Sequence, residues 1–372
     1  MTKQQLKLLA CITVAAGTGL AAAPPSVAAG PRMVHPGESI QAAVNAAKPG
    51  DVIRIAPGTY RESVLITKPG LTLRGSGSGT VLVPGNRTTK PAKSTKATKA
   101  TKSTKKAKAA QSCAKQGNGI CVLGTASKPV RDVQIRSLAL SGFKKNGVWA
   151  SGTDRLVVQQ VVSEKNGTWG IAQEKSVRGV FRHNTVRANG DSGIMIANVV
   201  ESEGGATDTR GTVVQANRLE ANRIGVTLRR VRNLAVIGNE VTGNCGGVFV
   251  VGDENKPAAG QMTISGNQIH HNNKSCAATA RMPALQGAGI VLTGSQGTLV
   301  RSNTIQDNVG KSPYSGGIVL FKSFVGAANS DNAIRDNVVQ GNKPADLAGT
   351  NTGSGNTFER NRCGASQPTG TC

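Results

Sequence analysis

The sequence predicts an all-β chain wound as a parallel β-solenoid, and two observations carry that prediction. Seven times an Asn is followed five residues later by another: Asn184/Asn189, Asn217/Asn222, Asn239/Asn244, Asn267/Asn272, Asn303/Asn308, Asn337/Asn342 and Asn356/Asn361. Two places after the first Asn of a pair stands an apolar residue, as at Val186, Leu219, Val241, Ile269, Ile305 and Phe358. The second observation is a glycine spacing. Gly147 to Gly170, Gly170 to Gly193 and Gly225 to Gly247 are 23, 23 and 22 residues, with alternating apolar strands such as Gly193-Ile-Met-Ile and Gly225-Val-Thr-Leu. That period is too short for a helical pair and suits one solenoid coil of short strands and turns. Leucine-rich repeats share the period, but their dense leucine spacing is missing.

Asn suits a solenoid corner for two reasons. It tolerates the left-handed backbone that a sharp corner needs. Its amide also carries donors and an acceptor, so copies stacked coil over coil, about 4.8 Å apart, can bond to one another or to the corner backbone. These Asn residues are therefore expected to be structural rather than catalytic. Longer glycine intervals mark insertions: 32 residues from Gly193 to Gly225, 42 from Gly247 to Gly289 and 28 from Gly289 to Gly317. They predict loops at about 199–210, 253–261, 273–286 and 309–315, and such insertions tend to gather on one face.

Residues 1–28 read as a secretory signal, with Lys3 and Lys7, an apolar stretch from Leu8 to Ala23, and Ser26-Val-Ala28 as a cleavage site. Leu8-Leu-Ala-Cys11 offers the alternative of a lipid anchor at Cys11, although Lys7 lies too close to Cys11 to leave an apolar region between them. The expected location is secreted, with no segment beyond the leader long enough to span a membrane. Six cysteines remain, an even count that argues for disulfides in an exported chain. Several pairings are open; the local ones are Cys113–Cys121, Cys245–Cys276 and Cys363–Cys372. No spacing suits a zinc site.

The formal net charge is +25. Removing Lys3, Lys7, Arg87 and the eight lysines from Lys90 to Lys108 still leaves about +14 on the remaining chain. That balance points to anionic partners. The Lys-Ser/Ala-Thr run has too little apolar surface to fold, so residues 86–112 read as a disordered insertion, either an adhesive for anionic polymers or a solvated spacer. The domain order is then 1–28 signal, 29–85 N-terminal cap helix and first coils, 86–112 insertion, and 113–372 repeats.

The entrance begins with Pro36-Gly-Glu-Ser39 before an amphipathic helix, Ile40 to Ala47, ended by Pro49-Gly50. Such a helix can cover the open end of a solenoid. Four short strands follow, at Val52–Ile55, Val64–Ile66, Leu71–Leu73 and Val81–Val83. The run Ser39-Ile-Gln-Ala-Ala-Val, Gly50-Asp-Val-Ile-Arg-Ile, Pro57-Gly-Thr-Tyr60-Arg-Glu62 and Gly70-Leu-Thr-Leu-Arg-Gly75 resembles the opening of the pectin-lyase-like proteins. The resemblance covers nearly all of the mature chain and implies a right-handed parallel β-helix with a short N-terminal capping helix. It leaves function open among lyases, hydrolases, epimerases, esterases, tailspikes and non-catalytic proteins.

The resemblance also implies signatures to look for. The Asn-Thr-Asp, Asp-Asp and Gly-His-Gly elements of the hydrolases are absent, as is the Asp-Pro-His cluster of the epimerases, and the chain has no unit like the esterases' Gln-Asp pair on a strand. Calcium, which pectate lyases bind through clustered acids, finds no such cluster here, so no cofactor is expected. In these relatives the substrate groove runs along the strand that is Gly-Ile-x-Leu in this chain. Taking the residue after Gly as inward, the outward row is Trp149, Ala172, Met195, Thr227, Phe249, Val291 and Val319. The next is Ser151, Glu174, Ala197, Arg229, Val251, Thr293 and Phe321. Glu174 and Asp191 are the acid/base candidates. Trp149 is a sugar-stacking platform, Arg223 with Arg229 is a clamp for a substrate carboxylate, and Arg230 and Tyr314 lie near them as further substrate-binding candidates. The plainer alternative covers the apolar row with loops and leaves the charges as surface. His183, His270, His271, Asp253, Glu254 and Glu62 read as turn, surface or cap residues.

The expected function is to bind or process an anionic, uronic-acid-type polysaccharide or cell-wall polymer, as a monomer. The alternative is a non-catalytic surface protein that adheres through its Lys-rich insertion. Nucleic acid ranks last, because no aromatic-interleaved basic groove supports it.

Overall fold

The computed structural model describes residues 32–85, 113–199, 204–280, 282–349 and 353–372. The leader, the Cys11 anchor and the 86–112 insertion lie outside them. Among the described residues, successive strands rotate among three long parallel sheets, each coil adding a strand to each, and Val130–Arg131 pairs with Thr153–Asp154 in a further two-stranded sheet. The first sheet runs from Arg32–Val34 and Val52–Ile55 to Thr357–Glu359, and the second from Gly58–Arg61 to Arg362–Cys363. The third runs from Val64–Ile66 to Ser366–Gln367 and contains the Gly-Ile-x-Leu strands.

Alternate side chains face opposite ways, so the three-residue strands of the first two sheets give the core one residue each and the longer third-sheet strands give two, as with Ile194 and Ile196. In the third sheet the register aligns Val148, Ile171, Ile194, Val226, Val248, Ile290 and Ile318, all fully buried. Each such side chain contributes about 1.5–3 kcal/mol of burial. The glycine before each has a packing cause: a Cβ on Gly193 would sit 2.8 Å from the carbonyl of Gly225 on the next coil. The expectation that the residue after Gly points inward therefore holds, and so does the composition of both outward rows.

Six of the Asn pairs form two ladders, one at each end of the second sheet, whereas the last pair is shifted: Asn361 continues the first ladder and Asn356 accepts from Asn332 in a separate row. Asn184 Nδ2 donates to Asn217 Oδ1 at 2.9 Å and to the Val158 carbonyl at 3.0 Å, while its backbone N–H donates to the same Asn217 oxygen. The pattern repeats through Asn217, Asn239, Asn267, Asn303, Asn337 and Asn361. The second ladder passes through Asn166, Asn189, Asn222, Asn244, Asn272, Asn308 and Asn342. It ends on Asp346, whose carboxylate accepts from both Asn342 N–H groups and from the backbone of Gly364 and Ala365. One expectation is corrected. The left-handed residue is the one before the Asn, as at His183 (φ 54°), Ala188 (φ 53°), Ala216 (φ 50°) and His271 (φ 52°). The Asn supplies the amide, and its neighbour supplies the corner.

The capping helix spans Ile40–Ala46 and buries Ile40, Ala43 and Val44. Ser39 Oγ accepts from Ala42 N, and Glu62 accepts from the N–H groups of Ile40 (2.7 Å) and Gln41 (3.1 Å). Glu62 is thus a cap on unsatisfied helical donors. Cys113–Cys121, Cys245–Cys276 and Cys363–Cys372 are bonded, the local pairing. Two expected loops are shorter than the glycine intervals suggest. Thr207–Gln215 and Ala259–Ser265 extend first-sheet strands, the former through a bulge between Asp208 and Thr212. No described helix is long and apolar enough to cross a membrane.

Candidate functional site

The outward face of the third sheet divides into two halves. Over the later coils, the 273–286 insertion folds back on itself through bridges Cys276–Leu285 and Thr279–Met282. Its Leu285, with Cys276 and Met282, packs on Phe249, Val291, Val319 and Tyr314. The outward row is therefore buried there, and the plainer expectation describes this half. Tyr314 meets Phe249 edge-on at 5.6 Å and Phe321 at 4.5 Å between ring centres, and burial pushes its hydroxyl up to about 12. It is a covering residue within this aromatic cluster, not a ligand-facing one.

Arg223 belongs to the same cover. Its guanidinium donates to the carbonyls of Ala277 (2.7 Å) and Pro283 (3.3 Å), pinning the insertion, and only 9% of it is exposed. Arg230 has φ 52° and pairs with Asp253, both buried. Asp253 also lines a polar hollow of about 280 Å³ with Glu254, Lys256, Gln296 and Ser330. Arg229 stays on the third-sheet face and reaches the Val199 carbonyl at 3.4 Å. The three arginines each hold the protein's own groups, at separate places, so the expected carboxylate clamp is not formed.

The earlier half of the face is different. Trp149 and Trp169, the chain's two tryptophans, are both half-buried and pack against Ala172, Met195 and Ala197. Trp149 stands in the outward row, in register with Ala172. Trp169 sits in the turn before Gly170, its backbone N–H donating to Asn146 Oδ1 at 3.1 Å. Its Nε1 donates to Asp191 Oδ2 at 3.2 Å. Burial raises the Asp191 carboxyl above its ordinary value, opposed by the Trp169 hydrogen bond and the Arg223 charge. Trp169 was not among the sequence candidates because period two applies to strands and it lies in a turn. Its place one residue before a repeat glycine was the available signal.

Glu174 ends its strand and is in register with Ala197, whereas Asp191 precedes Ser192. Six residues of extended chain separate the levels of these acids, roughly 20 Å. Paired carboxylates in glycoside hydrolysis stand only about 5–9.5 Å apart. Glu174 and Asp191 are therefore not an acid/base pair. Among the described residues no group of three His, Cys, Asp or Glu side chains is placed to hold a metal ion.

Comparison with known proteins bears on the fold. The A-modules of the Azotobacter vinelandii mannuronan C-5 epimerases AlgE6 and AlgE4 superpose with TM-scores of 0.54 and 0.57 at 17% and 16% identity. Each alignment covers 88% of this chain, and 92% and 91% of theirs. DFA-IIIase from Arthrobacter chlorophenolicus A6, without its lid and in complex with GF2, gives 0.56 at 15% identity over 86% of this chain and 79% of its own. No curated protein matches. The family described as "Right handed beta helix region" matches residues 101–260 and 254–372. With the repeat matched over most of its length, the chain belongs to this right-handed parallel β-helix family, of the pectin-lyase-like kind.

Proposed function

We propose that this protein is an exported, monomeric β-helix that binds an anionic polysaccharide, with the Trp149–Trp169 face as its sugar-contacting surface. The Trp169–Asp191 contact beside Trp149 carries the reading. Two indole faces offer stacking area, and a carboxyl held by one of them offers a hydrogen-bond partner for sugar hydroxyls. The sugar-acting enzymes among the structural neighbours, mannuronan epimerases and DFA-IIIase, are consistent with a carbohydrate ligand. The basic balance of the chain favours an acidic one. Three disulfides fit an oxidising compartment outside the cytoplasm. The separation of Glu174 from Asp191 favours binding over hydrolysis, and stacking with charge needs no cofactor.

Titration of the purified protein with polygalacturonate and alginate, with and without EDTA, tests this. Saturable binding that W149A/W169A weakens at least roughly tenfold, unaltered by EDTA, is expected. Equal binding by the double variant sinks the assignment of the face. Release of an unsaturated product, read by absorbance, would replace binding with lyase chemistry.

A further inference from the structure

The three sheets treat stacked charge differently. In-register side chains on successive coils lie about 4.8 Å apart, so like charges in one column repel. The second sheet resolves this by alternation: Arg187 pairs with Glu164 on the coil below at 2.7 Å, and Arg218 with Glu240 on the coil above at 2.9 Å. At the turn between the third and first sheets, Asp154 is held by Arg178 at 2.6 Å and Asp132 by Arg155 at 2.6 Å.

The first coils of the first sheet do not alternate. The register places Arg54, Arg74 and Arg136 directly over one another on three successive coils. Gln159 and Arg182 continue the column. Arg54 and Arg74 are exposed and Arg136 is half-buried. None of the three forms an ion pair with a described residue, and Arg136 Nε is buried without a hydrogen-bond partner. The described acids nearest in sequence are engaged elsewhere. Asp51 accepts from Lys48 N, Glu62 caps the helix, and Asp132 binds Arg155. The flanking outward column, Val52, Thr72, Gln134, Val157 and Val180, brings no carboxylate.

We propose that the Arg54–Arg74–Arg136 column is a second binding site, a rail for a linear polyanion that lies along the solenoid axis. Planar guanidinium forks recognise carboxylates in two-point contacts. A column with one fork per coil fits an extended polyuronate, which presents one carboxylate per sugar. The site lies on a different sheet from Trp149 and Trp169. The choice of ligand rests on the polysaccharide-binding reading; the site itself does not.

The test compares R54Q/R74Q/R136Q with W149A/W169A in the full chain, using polygalacturonate as probe and its fully methyl-esterified, uncharged form as control. The arginine triple should lose roughly tenfold or more in affinity for the acidic polymer at low salt and bind the ester as wild type does. Its salt slope should fall by about two to three. Relief of like-charge stacking should leave its melting temperature at or above the wild-type value, which separates lost binding from misfolding. R54K/R74K/R136K should keep the salt slope. An unchanged affinity and slope in the glutamine triple overturns the rail. If the triple still binds and only the tryptophan variant fails, the rail falls and the Trp face stands. If only the triple fails, the rail stands and the Trp face falls.

Discussion

Trp169 Nε1 donates to Asp191 Oδ2 across 3.2 Å, joining two turn residues from successive coils of the solenoid. The indole thus stabilises the charged form of a carboxyl that burial disfavours, and burial is the larger effect. Because Trp149 is the chain's other tryptophan, this contact can be observed directly. In a W149F background, the fluorescence of Trp169 should follow the titration of Asp191, with a midpoint above the ordinary carboxylate value of 3.8. D191N should abolish the transition. A titration that persists in D191N would assign it to another group.

The same shift has a stability consequence with a definite sign. A carboxyl whose folded value is raised binds its proton more tightly in the folded state, so the stability it confers is present at low pH. That stability is lost as pH rises from 3.8 through the raised folded value. The melting temperature of D191N relative to wild type should therefore rise over this interval and then level off. A difference that falls with pH would contradict the burial argument.

The ladders should tolerate damage at an end better than in the middle. Asn222 is fully buried, bonds Asn244 Oδ1 and the Val186 carbonyl, and accepts from Asn189. N222A strands several buried polar groups and should cost about 3 kcal/mol or more. N361A removes a partly buried terminal rung and should cost about 1 kcal/mol. Denaturant titration measures both, and equal losses would mean that the ladder does not act through burial.

Arg223, through the carbonyls of Ala277 and Pro283, and the Cys245–Cys276 bond both hold the 273–286 insertion. R223A should leave global unfolding little changed while accelerating proteolytic cleavage within 277–284, more so after reduction. Cleavage at wild-type rate would show that the apolar packing of Leu285 alone holds the cover.

Glu62 accepts two of the first N–H groups of Ile40–Ala46 and the Ser39 hydroxyl. E62A should destabilise the N-terminal coils by about 1–2 kcal/mol. Hydrogen exchange should show the loss in residues 40–66 before the later coils respond. Uniform loss would mean that the cap is coupled to the whole solenoid.

The repeat makes most of the architecture legible in the sequence. A period of 22 or 23 residues, an Asn every coil and a glycine before each inward residue admit few windings, because each feature is dictated by stacking on an identical neighbour. The inward row was legible for the same reason and the capping helix from its own apolar pattern, whereas only the fold decided among the open disulfide pairings. The sequence could not assign partners to residues that break the repeat. Arg223 and Arg230 read alike as substrate-binding candidates, yet one pins an insertion and the other is buried against Asp253. Tyr314 could be placed near the face, but only the folded insertion decided that it lies beneath a cover. Trp169 met Asp191, and Arg54 met Arg74 and Arg136, through register alone. Periodic local physics determined the coil; long-range register, set by how many residues each loop inserts, decided which side chains share a surface.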